Sequence, residues 1–309
     1  MEYFIQQLIN GLALGSIYGL IAIGYTMVYG IIGIVNFAHG DVFMVSAFIA
    51  LIVFLVMTQW LGIESVALKL VVMMGVGMTL TGLWNWTIEK VAYRPLRNSP
   101  KLAPLITAIG VSLLLQTLAM IIFKPNYKPY PNLLSSAPMQ IGGAVITTTQ
   151  IMILGLTAVS LAVLMYLVNY TRLGRAMRAT AENPRVAALM GVRPDTVISA
   201  TFIIGAVLAA IAGVMYASNY GTVQHTMGFL PGLKAFTAAV FGGIGNLAGA
   251  VVGGILLGLI ESIGAGYIGT VTGGVLGSNY SDIFAFIVLI IMLTLRPSGL
   301  LGERVADRA

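Results

Sequence analysis

The side chains able to do chemistry sit in three short polar breaks of an otherwise apolar chain. The first is Asn36-Phe37-Ala38-His39-Gly40-Asp41, an amide, an imidazole and a carboxylate between two long apolar runs. At membrane depth its freed backbone groups must be buried in protein or face a water-filled cavity. Broken helices of that kind line solute paths, and ionisable groups held there are costly and default to function. At a surface, the same residues would only cap two helices through Asn36 and Asp41. The residues leave both readings open.

The second break is Phe241-Gly242-Gly243-Ile244-Gly245-Asn246, whose glycines suggest a bend where helices approach closely, or a re-entrant turn. With the first break it forms the candidate solute path: Asn36, Phe37, His39, Gly40, Asp41, Phe241, Gly242, Gly243, Gly245 and Asn246. It is not a phosphate-binding loop, because no GxxxxGK[ST] occurs in the chain.

The third is residues 171–196, TRLGRAMRATAENPRVAALMGVRPDT, with five arginines and two prolines. Asn183 can cap a helix, Pro184 suits its first position, and Gly191 ends it a turn or two later. Between them Val186, Ala187, Leu189 and Met190 offer an apolar strip to dock in a groove of another protein. Arg175 and Arg178, with Arg172 and Arg185, supply charge, and Glu182 precedes the cap. The plainer alternative is an interfacial helix resting on lipid.

Other chemistries find no support. There is no HExxH, no CxxC and no cysteine, and only His39 and His225 as imidazoles, so disulfide and thiol chemistry are excluded and a membrane protease or metalloenzyme finds little support. Glu261 and Asp282 lie in late apolar segments with no evident basic partner, and no chain of acids suggests a proton relay. Repeated carboxylates of a selectivity filter are missing.

The elements that must position these breaks are membrane helices. The 309 residues are 58% hydrophobic and 8% charged, against about 25% charged in soluble domains. Apolar runs near 20 residues recur, as helices crossing a hydrocarbon core require, and they lack the alternation of a membrane barrel. The expected spans are 5–30, 42–60, 66–88, 102–123, 145–168, 197–217, 233–246, 247–264 and 282–295. The fold class is an all-α polytopic membrane protein of eight to nine transmembrane helices, with residues 171–196 as a cytoplasmic loop.

Charge sets the orientation. Of sixteen basic residues, twelve fall in three clusters: Lys90, Arg94, Arg97 and Lys101; the five arginines of 171–196; and Arg296, Arg304 and Arg308. The formal charge of +6 thus reads as the positive-inside signal beside anionic lipid, not as a nucleic-acid surface. Residues 124–144, with only Lys124 and Lys128, fall outside. Parity then requires the short 233–246 segment to cross, and puts the N-terminus outside unless the first run is split. That run lacks a basic n-region and reads as a permanent span.

Small residues recur at four-residue spacing: Gly11, Gly15 and Gly19 in the first span, and Gly245, Gly249 and Gly253 late, with Gly254 and Gly258 in a second register. Gly205, Ala209 and Gly213 make a third such face. In lipid this spacing lets helix backbones touch, within the chain or across a subunit interface.

At these residues the chain resembles the permease subunits of bacterial ABC importers for branched-chain amino acids, the shorter of the two paired permeases. The resemblance runs from about residue 6 to 302. It rests on GLALGSIYGLIAIGYTMVYGIIGIVNFAHGD (11–41), EKVAYRPLR (89–97), TRLGRAMRATAENPRVAALMGV (171–192), GLKAFTAAVFGGIGNLAGAVVGG (232–254) and RPSGLLG (296–302). It implies one permease domain over 1–309 in the inner membrane, with no catalytic residues or cofactor. ATP would be used by two separate ATP-binding subunits. A second homologous permease and a periplasmic or surface-anchored binding protein for leucine, isoleucine or valine complete the implied machine. Residues 182–191 would form the coupling helix, although Ala187-Ala188 precede Gly191 by one residue fewer than in the EAA-x-x-x-G pattern of importer permeases. An ion-coupled secondary transporter, a passive channel and a non-transporting scaffold are the rival readings.

Overall fold

The computed structural model describes residues 2–97, 99–100, 102–132, 139–141, 143–296 and 298–302. Lys101, Arg304 and Arg308 of the basic clusters lie outside the described residues. Eleven α-helices appear among the described residues: α1 (Glu2–Ile32), α2 (His39–Leu55), α3 (Val66–Ile88), α4 (Leu102–Phe123), α5 (Thr148–Tyr170), α6 (Arg172–Glu182), α7 (Pro184–Leu189), α8 (Pro194–Tyr220), α9 (Phe229–Gly242), α10 (Leu247–Val271) and α11 (Asp282–Leu295). Two small antiparallel pairs join them: β1 (Lys128–Pro129) with β4 (Thr222–Val223), and β2 (Met139–Ile141) with β3 (Ala144–Ile146).

Seven helices are long and apolar enough to cross a membrane, and α9 and α11 are shorter apolar helices of 14 residues each. This is the expected all-α polytopic fold, with nine apolar helices among the described residues, the two short ones included. The first run is not split, because α1 continues unbroken for 31 residues.

Two ends of the bundle follow from specific ties. At one end the Gln6 amide of α1 donates to Val145 O and accepts from Val145 N, and β1 joins the exit of α4 to the exit of α8 through β4. At the other end, Gly30 of α1, Val168 of α5, Met177 of α6 and Gly245 line one small recess. That second end carries the described arginines of α6, so it is the cytoplasmic one by the positive-inside rule, which leaves the N-terminus outside.

The glycine faces explain how α1 sits in the core. Gly11 and Gly15 of α1 lie against Gly258 and Gly254 of α10, so closely that a Cβ at either position would meet the facing backbone. It is the second register of α10 that meets α1; the other register does a different job, with Gly249 and Gly253 facing α9 at Ala238 and Gly242. Gly213 of α8 packs on Phe43 and Ser46 of α2. In hydrocarbon, where lipid tails compete equally for apolar side chains, such backbone contact is what gives helices a reason to associate. Apart from Gly245, around which space is open, these glycine faces are filled within the chain.

Helix ends obey local chemistry. Thr147 caps α5 in a reciprocal box with Gln150, so this helix starts after the 145 position expected for it. α9 begins at Phe229 and ends at Gly242, not at the expected 233 and 246. Pro231 is tolerated because it sits in the first turn. Gly243 and Gly245, at φ of 111° and 99°, stop the helix before Asn246.

Candidate functional site

The break at 36–41 lies inside the bundle, not at its surface. α1 ends at Ile32 and the chain turns back through Gly33, at φ 69°, before α2 starts at His39. His39 is buried, packed against Gly24 of α1 and edge-on to the Tyr25 ring at 5.0 Å. Gly24 is eight residues before the end of α1, so α2 starts about 12 Å into the bundle at 1.5 Å per residue. Gly40 meets Gly228 and Gly232, which places the starts of α2 and α9 against each other.

The turn is held from within. Asn36 Oδ1 accepts from its own Ala38 N–H at 3.1 Å and from the Tyr93 hydroxyl at 2.6 Å. Asn36 therefore closes the turn locally, as a capping amide does. Tyr93 ties it to the cytoplasmic end of α3, which runs on from Ile88 in wider π-type turns.

Asp41 supplies the buried carboxylate of this break. Its Oδ2 accepts from Ser112 Oγ at 2.5 Å and from Gln116 Nε2 at 3.3 Å, while its Oδ1 has no hydrogen-bond partner among the described residues. Ser112 stands near the middle of the 22-residue α4. Both of these α4 residues line a cavity of about 700 Å³, whose other walls are Tyr25, Phe37, Ile109, Leu113 and the stretch around the start of α9, including Gly228, Leu230 and Leu233. A largely apolar chamber with a few convergent polar groups is the usual form of a small-molecule site.

The two breaks separate in space. Of the first, Phe37 lines the chamber while His39 and Asp41 lie packed behind its wall. Residues 241–246 do not line it. Phe241 and Gly242 end α9, and their carbonyls accept from Leu300 and Leu301 N–H at 2.9 Å each. Gly243 touches Gly302, and Asn246 caps α10 through Gly249 N while donating to Leu301 O. The expected bend is present, but as the cytoplasmic hairpin between α9 and α10, clasped by residues 299–302.

The arginine-rich segment folds as α6 and α7. Thr171 caps α6, and Asn183 accepts from Arg185 N and Val186 N to start α7. Arg178 reaches back to Val168 O at the end of α5, whereas Arg175 and Glu182 are exposed. Val186, Leu189 and Met190 are 53%, 86% and 80% exposed. Ala187 departs from the expected strip: it is 3% exposed and faces inward, so the outward strip is the other three. Gly191 closes α7 at φ 84°.

Two charge clusters were not legible as such. Lys234 of α9 is buried and pairs with Glu261 of α10 at 2.5 Å and Asp282 of α11 at 2.6 Å, and the Tyr18 hydroxyl donates to Glu261 at 3.0 Å. Glu261 and Asp282 thus have the basic partner that the sequence did not reveal. Near the cytoplasmic end, fully buried Glu89 takes Arg94 at 3.2 Å, Arg97 and the Ser199 hydroxyl at 2.7 Å, and Arg97 also meets Asp195 at the start of α8.

Comparison with known proteins decides the family. The model described as branched-chain amino acid transport system / permease component matches residues 7–293. The chain belongs to this permease family. It is 44% identical over 305 residues to the high-affinity branched-chain amino acid transport system permease protein BraD of Pseudomonas aeruginosa, covering 97% of this chain and 96% of BraD. It is 41% identical over 305 residues to the permease protein LivH of Escherichia coli K12, with the same coverage of each. Both relatives are components of transport systems, and with its apolar helices this permease is a multi-pass membrane protein. A chain of PsaBC from Streptococcus pneumoniae aligns with TM-score 0.47 and 17% identity over 96% of this chain and 92% of that one.

Proposed function

We propose that this permease is the transmembrane subunit of an ATP-driven importer for branched-chain amino acids in the cytoplasmic (inner) membrane. It works with a second homologous permease, two ATP-binding subunits and a soluble or surface-anchored binding protein, and the ATP is used by the ATP-binding subunits. The observation that carries this reading is the match of nearly the whole chain to permeases of that transport class, at 41–44% identity to BraD and LivH.

The geometry supports a division of labour. The chamber bounded by α4 and the starts of α2 and α9 opens to one side, where the second permease would complete the wall. The α6–α7 segment presents Val186, Leu189 and Met190 outward from the cytoplasmic end, an apolar knob suited to a groove on an ATP-binding subunit. Asp195, two residues into α8, connects that segment through Arg97 and Glu89 to Tyr93 and so to Asn36. Movement of α7 would therefore reach the turn that bounds the chamber, and ATP binding would bias two packings that differ in these contacts.

The test is affinity purification of the tagged chain in mild detergent with mass identification of what accompanies it. Recovery of two ATP-binding subunits and a second permease supports the assembly. A monodisperse chain alone that still moves solute in vesicles overturns it.

A further inference from the structure

We infer that Asp41, Ser112 and Gln116 form a transit site for the ammonium group of a zwitterionic amino acid, with the apolar wall of the chamber taking its side chain. The inference rests on the importer reading and names where in this chain the substrate is recognised.

The argument begins with an imbalance. Asp41 is 1% exposed, and no cation pairs with it among the described residues. Only one of its oxygens is hydrogen-bonded. A buried carboxylate without a counter-charge is costly, and hydrogen bonds to one oxygen offset only part of that cost. The other buried acids among the described residues, Glu89 and Glu261, each have arginine or lysine partners. Asp41 is the exception, and it stands directly behind Ser112 and Gln116, two of the polar residues that face the chamber with Tyr25 and Thr226.

Those two residues pass its charge forward. Gln116 donates through its amide nitrogen to both Asp41 and Ser112, at 3.3 Å each, which turns its carbonyl oxygen away from them. An ammonium entering the chamber would meet acceptors at Gln116 Oε1 and Ser112 Oγ, backed by the Asp41 charge. Low dielectric around the chamber strengthens that attraction. The start of α9 supplies the other half: Gly228 and Leu230 form another chamber wall, and Leu230 N–H is the donor left there, since Phe229 N–H goes to Thr226 O and Pro231 has none. The positive end of that helix suits a carboxylate. Leu113 and Leu233 remain for a branched aliphatic side chain.

The chain has no cysteine, so a single introduced thiol reports the chamber alone. In the assembled complex in lipid vesicles, Leu113→Cys would be labelled by cationic and by anionic methanethiosulfonate reagents of similar size, with the label located on this chain by mass. A thiolate itself favours the cationic reagent, so the cation-to-anion rate ratio is referred to that of a small free thiol in solution. A negative chamber predicts a ratio about tenfold or more above that reference. Asp41→Asn in the same background should return the ratio to the reference, and saturating leucine with binding protein and ATP should slow both reactions. A ratio at the reference with Asp41 intact, or no reaction with either reagent, overturns the ammonium site whether or not Asp41→Asn assembles. Uptake by the same complex without Leu113→Cys separates the two levels. Absence of ATP-driven amino acid uptake there contradicts the importer reading, whereas a reference ratio in a transporting complex contradicts only the ammonium site.

Discussion

Lys234 Nζ lies 2.5 Å from Glu261 Oε1, joining α9 to α10 in a buried pair that Asp282 extends to α11 at 2.6 Å. Three helices from the last third of the chain, two of them too short to cross a membrane on their own, are thus bound through one ammonium group. Breaking a buried pair by removing one partner costs about 3–5 kcal/mol, because the other charge stays behind. We expect Lys234→Met to lower the unfolding midpoint of the detergent-purified protein sharply. The double change Lys234→Met, Glu261→Gln should recover part of that loss. Thermal unfolding of the four combinations checks the coupling, and purely additive effects would mean that the pair contributes nothing beyond its separate side chains.

The contact of α1 with α10 depends on absent side chains. Gly15→Leu should force the backbones apart at Gly254 and Ile255, a cost of about 1–3 kcal/mol or more for overpacking a close contact. Gly110→Leu, at a position with open space around it, is the matching control. Yield of folded protein by size-exclusion profile distinguishes them.

Leu189→Asp places a charge on the outward knob of α7 without touching the bundle, because Leu189 is almost fully exposed. The expected outcome is normal membrane insertion with uptake per ATP hydrolysed reduced about tenfold or more, the scale of an interface hot spot. Ala187→Asp should instead disturb folding, since Ala187 is buried. Transport by Leu189→Asp at the normal rate would remove α7 from the coupling surface.

Glu89 gathers Arg94, Arg97 and Ser199 at the cytoplasmic end, and Arg97 carries the link on to Asp195. Glu89→Gln leaves two arginines without their shared buried acceptor. It should reduce uptake more than Asp195→Asn, because Asp195 is itself largely exposed and its pairing with Arg97 is screened by water. Initial uptake rates at equal expression measure the difference.

Much of the fold was legible because lipid leaves the chain few choices. Val66–Ile88, Leu102–Phe123 and Asp282–Leu295 coincide residue for residue with the apolar runs that predicted them. α10 runs on to Val271, beyond the expected 264, because Gly264 and Gly266 are packed on Phe284 and Gln7; tertiary contact overrides the helix-breaking tendency of glycine. The functional geometry was less legible. Nothing in the sequence gives the rotation of one helix about its axis relative to another, so Lys234 could not be matched to Glu261 or Asp282. For the same reason Ser112 and Gln116 read as ordinary polar residues of an apolar helix until Asp41 was found against them. Residues 241–246 look like a second path element because their glycines mark a close approach. The backbones they approach are α10 at Gly249 and Ala250, from Gly242, and the C-terminal segment at 299–302, from Gly243.

The central claim is tested most directly by reconstitution. The complex purified on this permease would be placed in liposomes with its binding protein, and radiolabelled leucine uptake followed with and without ATP at the ATP-binding face. The account predicts uptake that requires ATP, requires the binding protein and persists when all ion gradients are collapsed. Uptake that proceeds without ATP, or that stops when an ion gradient is removed, would contradict it.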